Sequence, residues 1–309
     1  MCIRDSIHPD AKIGENVVIE PFAFIDKDTE IGNGSWIGPN ACIWEGSRIG
    51  DNCKIYAGAQ ISSIPQDLKF AGEKTITIIG KNTTVREFVT ISRGTSHREK
   101  TIVGEHNLLM AYVHVAHDCI LGNHCIVSNS VQVAGHVSIG DYAIIGGTAA
   151  IRQFVKIGSH VMIAGGSLVR KDVPPYVSAA REPLSYSGIN AIGLRRRKFT
   201  TQELNNIQEM YRIIYLSDLN ISKAIEKIQI DCDEIMSSDE GVTKYLEQLH
   251  YYGISLVQNA PTSKKSAEDV LKKISHFRET FFETPFEVIN IPNPNNSVYT
   301  ALGLRNHLE

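Results

Sequence analysis

The chain has 309 residues, with 31 Lys and Arg against 34 Asp and Glu, a formal net charge of −3 and 42% hydrophobic residues. This length suits one large or two moderate domains, and the charge balance gives no global basic field to draw in nucleic acid or an anionic membrane. No apolar run is long enough to span a bilayer and no secretory signal opens the chain, so neither a nucleic-acid partner nor a membrane span is expected.

In chain order, Met1–Ser6 (MCIRDS) carries no repeat and reads as a non-native leader, set apart from the fold. From residue 7 onward an aliphatic residue recurs every sixth position. One series runs Ile7, Ile13, Ile19, Ile25, Ile31, Ile37, Ile43, Ile49, Ile55, Ile61. A short one is Ile79, Val85, Ile91, and a third runs from Val103 through Leu109, Val115, Leu121, Val127 and Val133 to Val169. Neither a 3.6-residue helix nor a two-residue alternation gives a period of six. A parallel β-helix does, with one flat face per hexad and three hexads per turn. Residues 18 apart then share a column, about 4.8 Å per coil. Cys53, Cys119 and Cys125 each fall four residues after an aliphatic anchor, where a small inward side chain is needed, so they read as buried thiols. Free cysteines without a signal peptide point to the cytoplasm.

Two stretches interrupt the repeat. Ser62–Ile78 holds PQDLKFAGEKT and Ser92–Ile102 holds RGTSHREK. Loops carried on a rigid scaffold are good candidates for function. Pro174-Pro175 ends the solenoid. The basic run Arg195-Arg196-Arg197-Lys198 fits either a solvated helix entrance or a site for a phosphate-bearing ligand. Thr200 with Glu203 forms a capping box, and Leu204, Ile207, Met210, Tyr211, Ile214 and Tyr215 give an amphipathic helix. Ile221, Ala224, Ile225 and Ile228 suggest a second helix.

Column arithmetic gathers one polar strip. His117, Gly135 and Gln153 share a column, Asp118 and His136 share the next, and His114 ends the preceding face. Two chemistries fit. His117 suits a general base on a hydroxyl, oriented by Asp118, with Gly135 leaving a backbone N–H open to an oxyanion. Alternatively His114, His117 and His136 suit zinc with an open fourth position, as in a trimeric β-helix carbonic anhydrase.

The segments PQDLKFAGE (65–73), VREFVTISRGT (85–95), AHDC (116–119), AGHVSIGDYAIIGG (134–147), DVPPYV (172–177) and GLRRRKF (193–199) together resemble the UDP-N-acetylglucosamine O-acyltransferase family of lipid A biosynthesis. The resemblance covers about residues 7–240. It implies a β-solenoid, namely a left-handed parallel β-helix of hexapeptide repeats followed by a C-terminal α-helical domain. It also implies a cytoplasmic homotrimer with clefts between subunits. The implied reaction moves a 3-hydroxyacyl chain from acyl carrier protein to the 3-hydroxyl of UDP-N-acetylglucosamine, with the carrier thioester as co-substrate and neither cofactor nor metal. By motif, His117 is the general base, Asp118 its support and Gly135 the oxyanion donor. Asp67, His136 and Gln153 hold the sugar, with Lys69 and His114 lining the cleft. Asn190, Arg196 and Arg197 meet the nucleotide, and Gly165 sits at the chain-length ruler, where Gly165→Met is expected to favour shorter donors. Arg152 stands where the family often has histidine and Ile192 where an acid is expected.

The last segment departs from that family. LHYYGISLVQNAPT (249–262), FRETFFETPFEV (277–288) and PNPNNSVYTALGLRNH (292–307) resemble the opening of a γ-butyrobetaine-hydroxylase-type oxygenase. His307 and Glu309 would stand as two iron ligands, and the distal histidine of a facial triad does not follow, so no oxygenase activity is expected. The expected division is 1–6 leader, 7–177 β-helix, 178–244 helical domain and 245–309 a truncated foreign tail.

Overall fold

A computed structural model describes residues 6–216 and the two short parallel strands Gln229–Asp231 and Leu256–Gln258. The second helix expected at Ile221–Ile228 lies outside the described residues, as do His307, Glu309 and all of the tail other than Leu256–Gln258. The chain divides into two compact units, one ending at Asn190 and the other starting at Ala191.

The first unit is a left-handed parallel β-helix. Strands of mostly two residues, such as Phe24–Ile25, Cys42–Ile43, His114–Val115 and Gln132–Val133, stack in parallel into a first face of nine strands. Lys12–Ile13, Ile120–Leu121 and Ser138–Ile139 belong to a second face of eight, and Val18–Ile19, Ile126–Val127 and Ile144–Ile145 to a third of ten. The hexad anchors are the ladder: Ile37, Ile43, Ile55, Ile61, Val85, Ile91, Leu109 and Val115 have no exposed surface. Truncating one of them to Ala would cost about 2–5 kcal/mol through lost transfer energy and the void left behind. Cys53, Cys119 and Cys125 fill the smaller inward row as fully buried thiols, which donate to Gly80 O, Ala134 O and Gly140 O. Burial pushes the Cys53 thiol up to about 11 and the Cys119 thiol up to about 12.

Most faces end in a tight corner with a left-handed residue, including Asn16, Asn52, Asn82, Asp118, His124 and His136. Asn and Asp tolerate that conformation through local hydrogen bonds.

Both interruptions leave from the corner between the first and second faces. One joins Gln60–Ser63 to Ile76–Ile79, and the other joins Thr90–Ser92 to Lys100–Val103. They shift the register. Ile43 pairs with Ile61 at the regular interval, but Ile61 pairs with Ile91 and Ile91 with Val115. Subtraction of 18 therefore holds on either side of the loops but not across them.

The solenoid also runs past the prolines. Val177–Ala180 adds a parallel strand to the third face and Ser185–Ile189 folds back on it antiparallel. The helical segment expected from residue 178 begins at Ala191 instead. The prolines sit at a corner that needs no ladder N–H, and left-handed Tyr176 closes that corner by donating to Ser159 O at 2.9 Å.

In the second unit, helix α1 spans Ala191–Arg196 and α2 spans Thr201–Leu216. The capping box is present: Glu203 N donates to Thr200 Oγ1 at 3.2 Å and Thr200 N to Glu203 Oε2 at 2.6 Å. Leu204, Ile207, Met210, Tyr211 and Ile214 are buried, as the spacing requires.

Candidate active site

His117 and Asp118 form the corner that follows strand His114–Val115, on the coil directly after the two interrupted ones. Asp118 is completely buried. Its N–H donates to Thr101 Oγ1 at 2.9 Å, which fixes the backbone. Its carboxylate accepts from Thr95 Oγ1 at 2.6 Å and Thr95 N at 3.0 Å, both on the second loop, and from Arg98 N at 3.3 Å. Burial alone would raise this carboxyl. The hydrogen bonds from the Thr95 hydroxyl, the His117 ring and the Thr95 N–H, with the nearby His136, outweigh it and hold Asp118 below the usual carboxylate range.

An ionised Asp118 only accepts, so the 2.8 Å contact with His117 Nδ1 requires the proton to sit on Nδ1. That tautomer leaves the Nε2 lone pair free. Asp67 Oδ2, from the first loop, stands 3.9 Å from Nε2. Asp67 is itself fixed by Lys69 N, which donates to its Oδ1 at 3.0 Å.

Gly135 lies one coil beyond His117. A Cβ there would sit 2.7 Å from His117 Cε1 and 2.8 Å from Nε2, so only glycine leaves the ring its place. Its N–H has no acceptor among the described residues. His136 N donates to His117 O at 3.0 Å. The His136 ring meets His117 edge to face at 5.0 Å and stacks on Phe154 at 4.5 Å. Its Nδ1 is buried without a hydrogen bond, 3.8 Å from Asp118 Oδ2. Burial disfavours the imidazolium and lowers His136, with Asp118 pulling partly the other way.

His114 is tied to Thr90 Oγ1 through Nδ1 at 2.7 Å, and burial, then the neighbouring His117, lowers it. His114 is not among the described residues whose ligand atoms come together here, so the three-histidine zinc set does not close. The group among the described residues whose ligand atoms come within 4.8 Å of one another is His117, Asp118 and His136. Both Asp118 oxygens already accept from protein donors.

The remaining predicted residues scatter within one chain. Gln153 continues the His117 column and is exposed, as is Lys69. Asn190 is buried at the corner between the second and third faces, where its side chain donates to His160 O at 2.8 Å. Gly165 is exposed at the corner between the third and first faces. Arg196 and Arg197 belong to the second unit: Arg196 ends α1 exposed, and Arg197 Nη1 donates to Gly193 O at 2.9 Å. Thr95, His97 and Arg98 lie in the RGTSHREK loop, and nothing in their residue types distinguishes them there as site residues. Loop composition does not say where backbone donors point.

A family model described as UDP-N-acetylglucosamine O-acyltransferase, domain 2, matches residues 172–252, and one for bacterial hexapeptide transferases matches residues 28–63 and 100–135. An acyl-[acyl-carrier-protein]–UDP-N-acetylglucosamine O-acyltransferase of Chlorobaculum tepidum is 63% identical over 172 residues, which is 55% of this chain and 65% of that protein. The matched segment thus spans just under two thirds of the Chlorobaculum relatives. The enzyme of the same name from Thermodesulfovibrio yellowstonii is 40% identical over 74% of this chain and 89% of its own. Among solved structures, a UDP-N-acetylglucosamine acyltransferase from Bacteroides fragilis superposes with TM-score 0.72 at 46% identity, covering 84% of this chain and all of that one. The Campylobacter jejuni acyltransferase gives 0.69 at 34% identity, over 82% and 98%.

Proposed function

The chain belongs to the UDP-N-acetylglucosamine O-acyltransferase family, and from that premise we propose that it transfers a 3-hydroxyacyl chain from acyl carrier protein to the 3-hydroxyl of UDP-N-acetylglucosamine. The observation that carries the proposal is the buried Asp118–His117 pair with Nε2 left free beside Asp67. His117 Nε2 takes the proton of the sugar hydroxyl as its oxygen attacks the thioester carbonyl. The carbonyl oxygen becomes an oxyanion, and the Gly135 N–H, which has no acceptor among the described residues, is the donor that would receive it. Collapse breaks the C–S bond, and the carrier thiol leaves with the proton held on His117. Asp118 keeps Nδ1 protonated through both halves and balances the transient imidazolium.

In this reading the working unit is a homotrimer in the cytoplasm. Asn190 and Gly165 occupy the other two corners of the coil, so a neighbouring subunit would supply them to the cleft beside His117, with Arg196 and Arg197 serving the nucleotide. No helix among the described residues is long and apolar enough to cross a membrane. No metal takes part in the proposed steps.

The test is transfer from 3-hydroxyacyl-acyl carrier protein to UDP-N-acetylglucosamine, with and without excess chelator. O-acylated product formed at equal rates in both is expected. No product, or product that disappears with chelator and returns with zinc, would overturn the proposal.

A further inference from the structure

The second interruption does more than rejoin the coils. Its residues Thr95 and Arg98 hold the buried Asp118 from the loop side. Thr95 is itself buried and supplies two donors: its N–H to Oδ1 and its hydroxyl to Oδ2. Oδ2 is also the oxygen that accepts from His117 Nδ1. The Thr95 hydroxyl in turn accepts from His97 N at 3.3 Å, so its own proton is committed to Asp118. Arg98 Nη1 donates to Asp118 O at 3.0 Å. The first loop steadies the second, since Glu73 Oε1 accepts from Ser96 N at 3.0 Å while its Oε2 accepts from Ala71 N at 2.8 Å. The loop that carries Asp67 and the loop that carries Thr95 are thereby joined, the first reaching His117 Nε2 through Asp67 and the second holding the Asp118 that meets Nδ1.

We infer that Thr95 is a positioning residue of the reaction, holding the Asp118 carboxylate in the one orientation that keeps the His117 proton on Nδ1 and Nε2 free. The inference rests on the proposed role of His117 as base. A buried carboxylate with fewer donors either turns to find others or takes up a proton, and in both cases His117 loses the acceptor that sets its tautomer. Thr95 touches no reacting atom, so its removal should slow the chemical step without weakening either substrate.

The variant Thr95→Val keeps the volume and removes the hydroxyl. The expected result is a fall in kcat of about 10–100-fold with both KM values within about twofold, a split that marks an interaction needed in the transition state. Thr95→Ser should recover most of the rate. In an Asp118→Asn background, Thr95→Val should cost no more than about twofold, because residues that act through one another are not additive. Wild-type activity in Thr95→Val, or the same loss in both backgrounds, would overturn the inference while leaving the acyltransferase reading intact. An inactive wild type would instead contradict that reading. For that case the NMR resonance of the His117 Nδ1 proton, assigned by its absence in His117→Ala, gives an answer without turnover. It should shift or exchange away in Thr95→Val and persist in Thr95→Ser; an unchanged resonance in both would overturn the inference.

Discussion

At the corner between the second and third faces, His106, His124, Tyr142, His160 and Tyr176 stack ring on ring, with successive centroids 4.7, 4.6, 5.0 and 5.5 Å apart. At the corner between the first and second faces, His136 stacks on Phe154 in the same manner, over Asp118. The backbone is alike at both, with φ of 56° at His124 and 63° at His136. The surroundings differ. The first corner presents its rings as a ladder with His106 at the surface. The second receives two inserted loops, and with them a buried carboxylate with its donors, a second carboxylate at Nε2 and a glycine that makes room for the ring. A stacked histidine in this fold is ordinary packing. It acquires chemistry when a buried partner fixes its tautomer and leaves the other nitrogen free.

The sharpest way to break that contrast is Gly135→Ala. Its Cβ would meet the His117 ring at 2.7 Å, so the ring must move. A displacement of that order misaligns base and hydroxyl and is expected to lower kcat by about 100-fold. Activity within a few-fold of wild type, measured by the transfer assay, would show that the ring does not work from this position.

Acidification gives a second, smaller contrast. Burial lowers both His136 and His114, so the unfolded chain takes up protons at these positions before the folded one does. Stability from these residues is complete above about pH 6.5 and falls as pH drops from there toward their folded values. Asp118 has the opposite origin: its contribution is complete above about pH 4 and is lost only as pH falls through its lowered folded value. Between pH 7.5 and 5.5 the histidines therefore set the slope. Melting temperature should fall across that window in the wild type and fall less in His136→Gln, whereas an equal or steeper fall in the variant would contradict the assignment.

The smallest effect belongs to the other corner. His124→Ala removes two ring stacks, on His106 and on Tyr142, and should cost about 1–3 kcal/mol of stability. Its transfer rate should stay within about twofold, and a tenfold loss would mean that the ring ladder itself, beyond Asn190 at the same corner, serves the reaction.

The period of six made the coils legible because each anchor must point inward for its neighbours to bury it. Ile37, Ile55 and Leu109 sit where the count places them. The same count put His117 beside Gly135 and Asp118 beside His136, since no loop intervenes between residues 103 and 169. It failed where chain leaves the coil. The interval between Ile61 and Ile91 depends on how many residues an insertion takes up, which the hexads on either side do not record. The Thr95 clamp was hidden for a related reason, because two of its donors, Thr95 N and Arg98 N, are main-chain groups that any residue would present. Val177–Ala180 escaped notice because Pro174-Pro175 reads as a stop, yet prolines fit a corner as well as an end. Asn190 and Gly165 came from the family motif rather than from geometry, and one chain places them on other corners than His117.

The most direct measurement is kcat for acyl transfer in the wild type, His117→Ala and His124→Ala, side by side. Removal of a general base should cost about 10²–10⁴-fold, so His117→Ala is expected to collapse while His124→Ala keeps the wild-type rate. A His117→Ala enzyme within tenfold of wild type, or equal losses in both variants, would contradict the claim that the loop-wrapped corner is where the chemistry occurs.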